Sequence, residues 1–409
     1  MKVAIITSGY LPVPASKGGA VENIVENFII ENEIYKRVQF DIFSIDDEKA
    51  QEMAKKYQYS QFHFIKPNQI VKIMDKLIYF FCKNILKKQK MMSYRYIVQR
   101  LYFLRKTSKV LKRENYDKVI LENHSTLFLS LKWHKNYLKY KDRYYYHIHN
   151  EMKSAYGCEE IMKNTKNIMC VSNYIKRHVE EFLKIPNASN VNKLTNCINI
   201  QQFDNISEEE KLQIREKYHL NKEDRILIFT GRLTKEKGIK ELLLAIKELK
   251  EIPNFKLLVV GSFFFDTEVK NDFEKELQGI ITDIKDKVIF TGYVKHEEIN
   301  KVYGIADIAV LPSLWDDPAP LTVIESMASG LPIITTNSGG IPEYAQNGCA
   351  FILKRDENLV QNLKIKIQEL LDNEEERSKM AKISKQNAAE LNLDNFYKDL
   401  LKNIDADVS

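Results

Sequence analysis

The stretch LWDDPAPLTVIESMASGLPIITTNSGGIPE, residues 314–343, puts two carboxylates, a helix start and a glycine pair into one short span. Pro318 and Pro320 keep the chain ahead of Leu321 extended and favour a helix beginning there, because proline fixes its own φ and offers no backbone donor. Gly330 ends that helix. Pro332–Thr336 is short, apolar and β-branched, which predicts a buried strand, and Ser338-Gly339-Gly340 predicts a tight loop after it. The order is therefore loop, helix, strand, loop. A helix start holds unpaired N–H groups and the positive end of the helix dipole, and so suits an anion. Glu325, eight residues after Asp317, lies within about two turns of that start and can reach a hydroxyl beside the anion.

Upstream of this stretch, short apolar runs alternate with helical ones. RILIFTG (225–231), KLLVVGS (256–262), KVIFTGYV (287–294), IAVLPS (308–313) and LPIITT (331–336) read as strands. An earlier series has the same rhythm: KVAIITS (2–8), VQFDIFSI (38–45), DKVILEN (117–123), DRYYYHIH (142–149) and NIMCVS (167–172), with GGAVENIVENFII (18–30) as a first helix. Repeated βαβ units predict doubly wound parallel sheets. Between the two series, Asn199–Asp224 is polar and charged and reads as a crossing with one short helix. A chain of 409 residues suits two domains of about 200 residues each.

The apolar run at the N-terminus follows a single lysine and reads as a first strand, not as a secretory signal. The longest apolar run, LIYFFC at 77–82, is far below the roughly 18 residues of a membrane span. Five scattered cysteines without a CxxC pair point to reduced thiols in a cytosol, and against a disulfide frame or a zinc site. Charge is uneven. Residues 72–113 carry thirteen Lys and Arg against Asp75 alone, a local +12 that leaves −6 for the remainder. Phe80, Phe81, Tyr102 and Phe103 stand among these cations. Two readings remain open: core-packed helices with solvated basic faces, or an anionic membrane surface met by 72–113. Nucleic acid is not expected as a partner, because no RNA or DNA module accompanies the charge.

Residues 314–343 resemble the acid-x7-acid signature of family four, group 1 retaining glycosyltransferases, E-x-F-G-x-x-x-x-E followed by A-x-A-x-G-x-P-V-I and G-G-x-x-E. Glu325 is the second acid, SMASG the small-residue helix, and GGIPE, with Glu343, the tail. Asp317 stands where the family has glutamate, and Ala319-Pro320 replaces Phe-Gly. The resemblance implies the GT-B fold: an N-terminal Rossmann-like acceptor domain over 1–200, a C-terminal donor domain over 201–388, a cleft between them, and a helix within 389–409 crossing back to the first. It implies a nucleotide-sugar donor, with a UDP-sugar favoured.

Chemistry of this kind needs cations aimed at a departing diphosphate. GRLTKEKG (231–238) supplies Arg232 and Lys237 after a strand, beside Gly231, and both match the family's diphosphate-binding stretch. Gly18 and Gly19 open the first helix where a backbone can approach a phosphate, as in the family's glycine loop. His149 ends a strand at the position where the family faces the transferred sugar; His147 is a neighbouring alternative, and His124 a further one near an acceptor. Leu321 and Thr322 at the helix start meet the phosphate by the same resemblance, Glu325 the ribose, Asp317 the sugar. Gly261 ends a strand beside the nucleotide, and Tyr293-Val294 border the base. No Asp-x-Asp follows a strand, the spacing at 405–407 lying in a polar tail, so neither a metal nor a cofactor is expected.

LPVPASKGGAVENIVENF and HNEM resemble the bacterial cell-envelope and spore-coat branch, which implies a lipid-linked or polysaccharide acceptor and a cytoplasmic enzyme on the inner face of the plasma membrane. The alternatives are a GT-B epimerase or sugar phosphorylase, or a non-catalytic partner subunit.

Overall fold

The computed structural model describes residues 1–84, 96–204, 206–261, 272–295 and 297–406. It divides into two compact units, one of residues 1–196 with 393–409 and one of residues 197–392. Each unit is built on one parallel sheet.

The first sheet has seven strands: β1 (Lys2–Ile6), β2 (Gln39–Ile45), β3 (Ser60–Ile65), β4 (Lys118–Glu122), β5 (Tyr144–Ile148), β6 (Asn167–Cys170) and β7 (Val191–Lys193). Their spatial order is β3-β2-β1-β4-β5-β6-β7, all parallel. The second sheet has six: β8 (Arg225–Thr230), β9 (Phe255–Val260), β10 (Val288–Gly292), β11 (Ile308–Leu311), β12 (Ile333–Thr336) and β13 (Ala350–Leu353), in the order β10-β9-β8-β11-β12-β13. Both orders run outward from the first strand in two directions, so each sheet has a switch point, between β1 and β4 and between β8 and β11. Crevices form there beyond the carboxyl ends of the strands.

The apolar runs are unbroken because both faces of each sheet are covered. In the second unit Leu227, Phe229, Leu257, Val259, Ile308 and Val310 pack into one core, while their neighbours Ile226, Ile228, Leu258, Val260, Ala309 and Leu311 pack into the other. Successive side chains thus take opposite faces, and none is left to water.

Three strands lie outside the runs that the sequence reading names: β3, β7 and β13. Each is an edge strand. β7 has three residues with only Val191 buried, and β13 buries only Leu353 fully, so the hydrophobic period that marks a central strand is weak. The helix Leu393–Asn403 belongs to the first unit: Phe396 stacks on Phe28 with ring centroids 4.8 Å apart, and the Tyr397 hydroxyl donates to Asn32 Oδ1 at 2.6 Å. Asn32 in turn donates to the Val38 carbonyl at 2.7 Å, so one buried amide ties this helix to the start of β2.

Candidate active site

In the second unit the loops after β8, β11 and β12 meet at the switch point. The loop after β8 carries Gly231 and Arg232 and turns at Lys235–Lys237. Gly238 follows at φ +69, where an added Cβ would stand 1.9 Å from the Pro312 carbonyl oxygen. Only glycine permits that approach. The Glu236 carbonyl accepts from the N–H groups of Leu314 and Trp315 at 2.8 and 3.1 Å, stitching the loop after β11 to the turn that presents Lys237.

Lys237 Nζ lies 2.6 Å from Asp317 Oδ2 and 5.8 Å from the centre of the Trp315 ring. The Asp317 side chain is 11% exposed and that of Lys237 21%, so the pair is largely shielded from water. Asp317 is held from behind. Its carbonyl accepts from Gly340 N at 2.8 Å, and Gly339 N donates to Asp316 Oδ1 at 3.0 Å. Arg355 pairs with the same Asp316 oxygen at 2.7 Å and donates to the Leu314 carbonyl at 2.9 Å. Ser338 Oγ donates to the Ser313 carbonyl at 2.7 Å.

The helix Leu321–Ala328 begins here with Pro320 at its cap, a residue that gives no side-chain hydrogen bond to the first turn. Thr322 in that turn lines one small pocket with Lys237, Asp317, Thr230 and Ser313. A cation and a helix start therefore share one cavity at the switch point, which suits an anion. Glu325 is set back from it. Its Oε2 accepts from the Tyr303 hydroxyl at 3.0 Å, and the Thr230 hydroxyl lies 2.7 Å from the same phenol. Burial first, then the Glu325 carboxylate, pushes the Tyr303 phenol well up, so it stays protonated and donates. Thr230 is then the donor to Tyr303, a relay along the carboxyl end of β8.

Other expected residues are placed as follows. Arg232 is exposed and is not among the residues lining the pocket. Gly231 and Gly261 end β8 and β9, bonded in a row: Gly231 N to the Val260 carbonyl at 3.0 Å, Gly261 N to the Gly292 carbonyl at 3.1 Å. Tyr293 is 76% exposed and Val294 packs on the core. In the first unit, Gly18 and Gly19 precede the helix Ala20–Tyr35, whose buried Glu22 accepts from Ser8 Oγ at 3.2 Å. His149 is buried and turns Nε2 toward Glu122 and His147. His124 accepts the Thr126 N–H on Nδ1 at 3.2 Å and caps a short turn; burial, then Arg100, lowers it to about 4. Asp316, Tyr303 and Thr230 escaped the sequence reading. Asp316 adjoins a named residue, and no one-dimensional signal marks the other two.

Residues 210–387 match the family described as glycosyl transferases group 1. The chain is 27% identical to spore coat protein SA of Bacillus subtilis over 95% of its own length and 94% of that protein's. Residues 210–387 therefore form a group 1 glycosyltransferase domain. The chain is also 26% identical, over 49% of its length and 51% of the relative's, to the lipopolysaccharide 1,2-N-acetylglucosaminetransferase of Salmonella typhimurium. Among solved structures, Anabaena HepE in complex with UDP superposes with a TM-score of 0.73 at 14% identity, over 99% of this chain and 100% of that one, so the two share the GT-B fold.

Proposed function

We propose that this glycosyltransferase moves a sugar from a UDP-sugar to a hydroxyl of a lipid-linked or cell-surface polysaccharide acceptor, with retention at the anomeric carbon. The observation that carries the reading is the Lys237–Asp317 pair beside the start of the helix Leu321–Ala328. As the glycosidic bond breaks, charge develops on the departing diphosphate; Lys237, Arg232 and the N–H groups of Leu321 and Thr322 stabilise it. These groups belong to the chain, so the diphosphate needs no divalent cation. Asp317 steers Lys237 and bonds the sugar, and Glu325 bonds the ribose. Tyr293 and Val294 border the base. A diphosphate oxygen takes the acceptor proton on the face it leaves, which keeps the anomeric configuration. UDP in the Anabaena structure, and the lipopolysaccharide and spore-coat names of the relatives, support the choice of donor and acceptor. In a thermal-shift experiment, UDP at 100 times its Kd stabilises by about 2.7 kcal/mol and raises Tm by a few degrees. UDP-sugars follow it, and an unchanged Tm at millimolar UDP sinks the reading.

The membrane part rests on the helix Gln69–Asn84. Ile70, Ile73, Met74, Leu77, Phe80 and Phe81 recur at helical spacing and are 45–67% exposed, while Val71, Asp75 and Cys82 turn inward. Asp75 caps the helix Ile97–Arg113 through the N–H groups of Val98 and Gln99, both at 2.9 Å. That second helix exposes Arg105, Lys106, Lys109, Lys112 and Arg113 and buries Phe103, which is a core residue and not part of the surface. Residues 85–95, with Lys87, Lys88, Lys90 and Arg95, lie outside the described residues. An apolar stripe flanked by cations fits an anionic bilayer surface, each cation contributing about 1 kcal/mol. No helix among the described residues is long and apolar enough to cross a membrane. The association proposed is peripheral, on the inner face of the plasma membrane. Vesicles with anionic lipid co-sediment the protein at low salt and release part of it at high salt; binding to zwitterionic vesicles of equal strength, or none at low salt, removes the proposal.

A further inference from the structure

Apart from the donor pocket, one cluster in the first unit brings a carboxylate and two imidazoles together in the core. Glu122 ends β4 and is the register partner of His147 on β5, and His149, two residues on, stands on the same face. His147 Nδ1 is 3.0 Å and His149 Nε2 3.4 Å from Glu122 Oε2, and the two nitrogens are 3.2 Å apart. Glu122 and His147 are wholly buried, His149 is 7% exposed. Two of the buried atoms, Glu122 Oε1 and His147 Nε2, have no hydrogen-bond partner among the described residues.

Three such atoms could in principle hold a metal, since the ligand–ligand edge of a tetrahedral zinc site is about 3.3 Å. The unpartnered His147 Nε2 decides against it. If Nδ1 gave its lone pair to a metal, the neutral ring would carry its proton on Nε2, a buried N–H with nothing to receive it. Metal-bound imidazoles almost always donate that second N–H. If Nδ1 instead carries the proton and donates to Glu122, Nε2 is a bare lone pair, and an unsatisfied buried acceptor is tolerated more readily than an orphaned N–H. Glu122 is then an ionised acceptor, and its second donor is His149 Nε2–H. Burial works to raise the Glu122 carboxyl, but His147 and His149 hold it at about 2, while burial, with His147 beside it, lowers His149 to about 4. The charge of Glu22, from the helix Ala20–Tyr35, also bears on Glu122, and the Phe28 and Phe396 rings pack within 5.8 and 6.4 Å of the His147 ring.

We propose that Glu122 and His147 are positioning residues that lock His149 as the neutral Nε2–H tautomer, leaving Nδ1 as an acceptor for a hydroxyl of the transferred sugar. The sugar contact rests on the glycosyl transfer reading above. The lock makes the contact one-directional: a bare Nδ1 takes a hydroxyl or amide proton and rejects a carbonyl or phosphate oxygen at that position.

The test is a long-range proton–nitrogen correlation spectrum of the full chain with 15N-labelled histidine at pH 7, His147 and His149 being assigned by single His→Gln variants. The expected result is one proton on each ring, at Nδ1 of His147 and at Nε2 of His149. A proton on Nε2 of His147, or one equivalent of transition metal in the purified protein, overturns it. Glu122→Gln, whose amide can donate to His149, is expected to reverse the His149 tautomer and lower kcat/KM by about 10-fold or more; a reversed tautomer with unaltered kcat/KM overturns the positioning role. Where that variant fails to fold, the spectrum of the unaltered protein still decides. Wrong tautomers in an active enzyme fault the lock alone, whereas no transfer from any UDP-sugar by the unaltered protein faults the functional reading and the sugar contact with it.

Discussion

Lys237→Ala lowers turnover by about 10²-fold or more, because the positive charge nearest the pocket at the β8/β11 switch point is lost while the cavity keeps its shape. The loss falls on kcat more than on KM if the charge acts chiefly on the departing diphosphate. A second consequence separates this site from a mere surface lysine. Removing Lys237 leaves Asp317, 8% exposed, without its partner at 2.6 Å, so a carboxylate faces the diphosphate with nothing to balance it. Lys237→Ala is therefore worse than Lys237→Ala combined with Asp317→Ala relative to what independent effects would give, and a double-mutant cycle reads the difference as a coupling of about 0.5–3 kcal/mol. Asp317→Asn, which loses the charge, impairs turnover more than Asp317→Glu, which keeps it. Near-normal rates in Lys237→Ala, or strictly additive effects in the cycle, would take the pair out of the mechanism.

The sequence made Asp317 visible for a physical reason, though not its pairing with Lys237, 80 residues away. Residues 314–343 hold a helix, a strand and two loops whose signals are all local: prolines before the helix, glycine after it, β-branched residues in β12. Local signals survive folding unaltered, and the helix begins at Leu321 as the prolines require. Pairings across the sheet are different. Glu122 meets His147 only because β4 and β5 lie side by side in that register, and nothing in DKVILEN or YYYHIH states it. Tyr303 reaches Glu325, and Arg355 reaches Asp316, by the same kind of long-range neighbourhood. The helix Gln69–Asn84 was misleading in another way. Its stripe from Ile70 to Phe81 has the period of a core-facing helix, and periodicity cannot tell whether protein or lipid is to cover it. The exposure of those side chains shows that the described residues leave the stripe open, just as only the burial of Phe103 removes it from the basic surface.

Gly238→Ala is expected to destabilise the second unit by about 2–4 kcal/mol and to reduce turnover even in the folded fraction. Two costs add at this position. The backbone sits at φ +69, where a residue with a Cβ pays about 1–2 kcal/mol. The added methyl would also stand 1.9 Å from the Pro312 carbonyl oxygen, an atom of the loop after β11 and not the movable end of a side chain. That loop cannot simply retreat. It is fixed to the Glu236 carbonyl through Leu314 and Trp315, to Ser338 through the Ser313 carbonyl, and to Arg355 through Asp316. Relief must then come from the turn Lys235–Lys237, which carries Lys237 away from Asp317 and from the start of the helix Leu321–Ala328. Gly348→Ala, in the same unit at φ +86 and with only an ordinary contact of 3.7 Å from the added Cβ to Ile383 Cδ1, isolates the conformational cost and should lose only about 1–2 kcal/mol. Denaturant melts of the two variants, read beside turnover, make the comparison. Equal losses in both would show that the contact with Pro312 yields without strain, and that the turn does not depend on glycine to hold Lys237 in place.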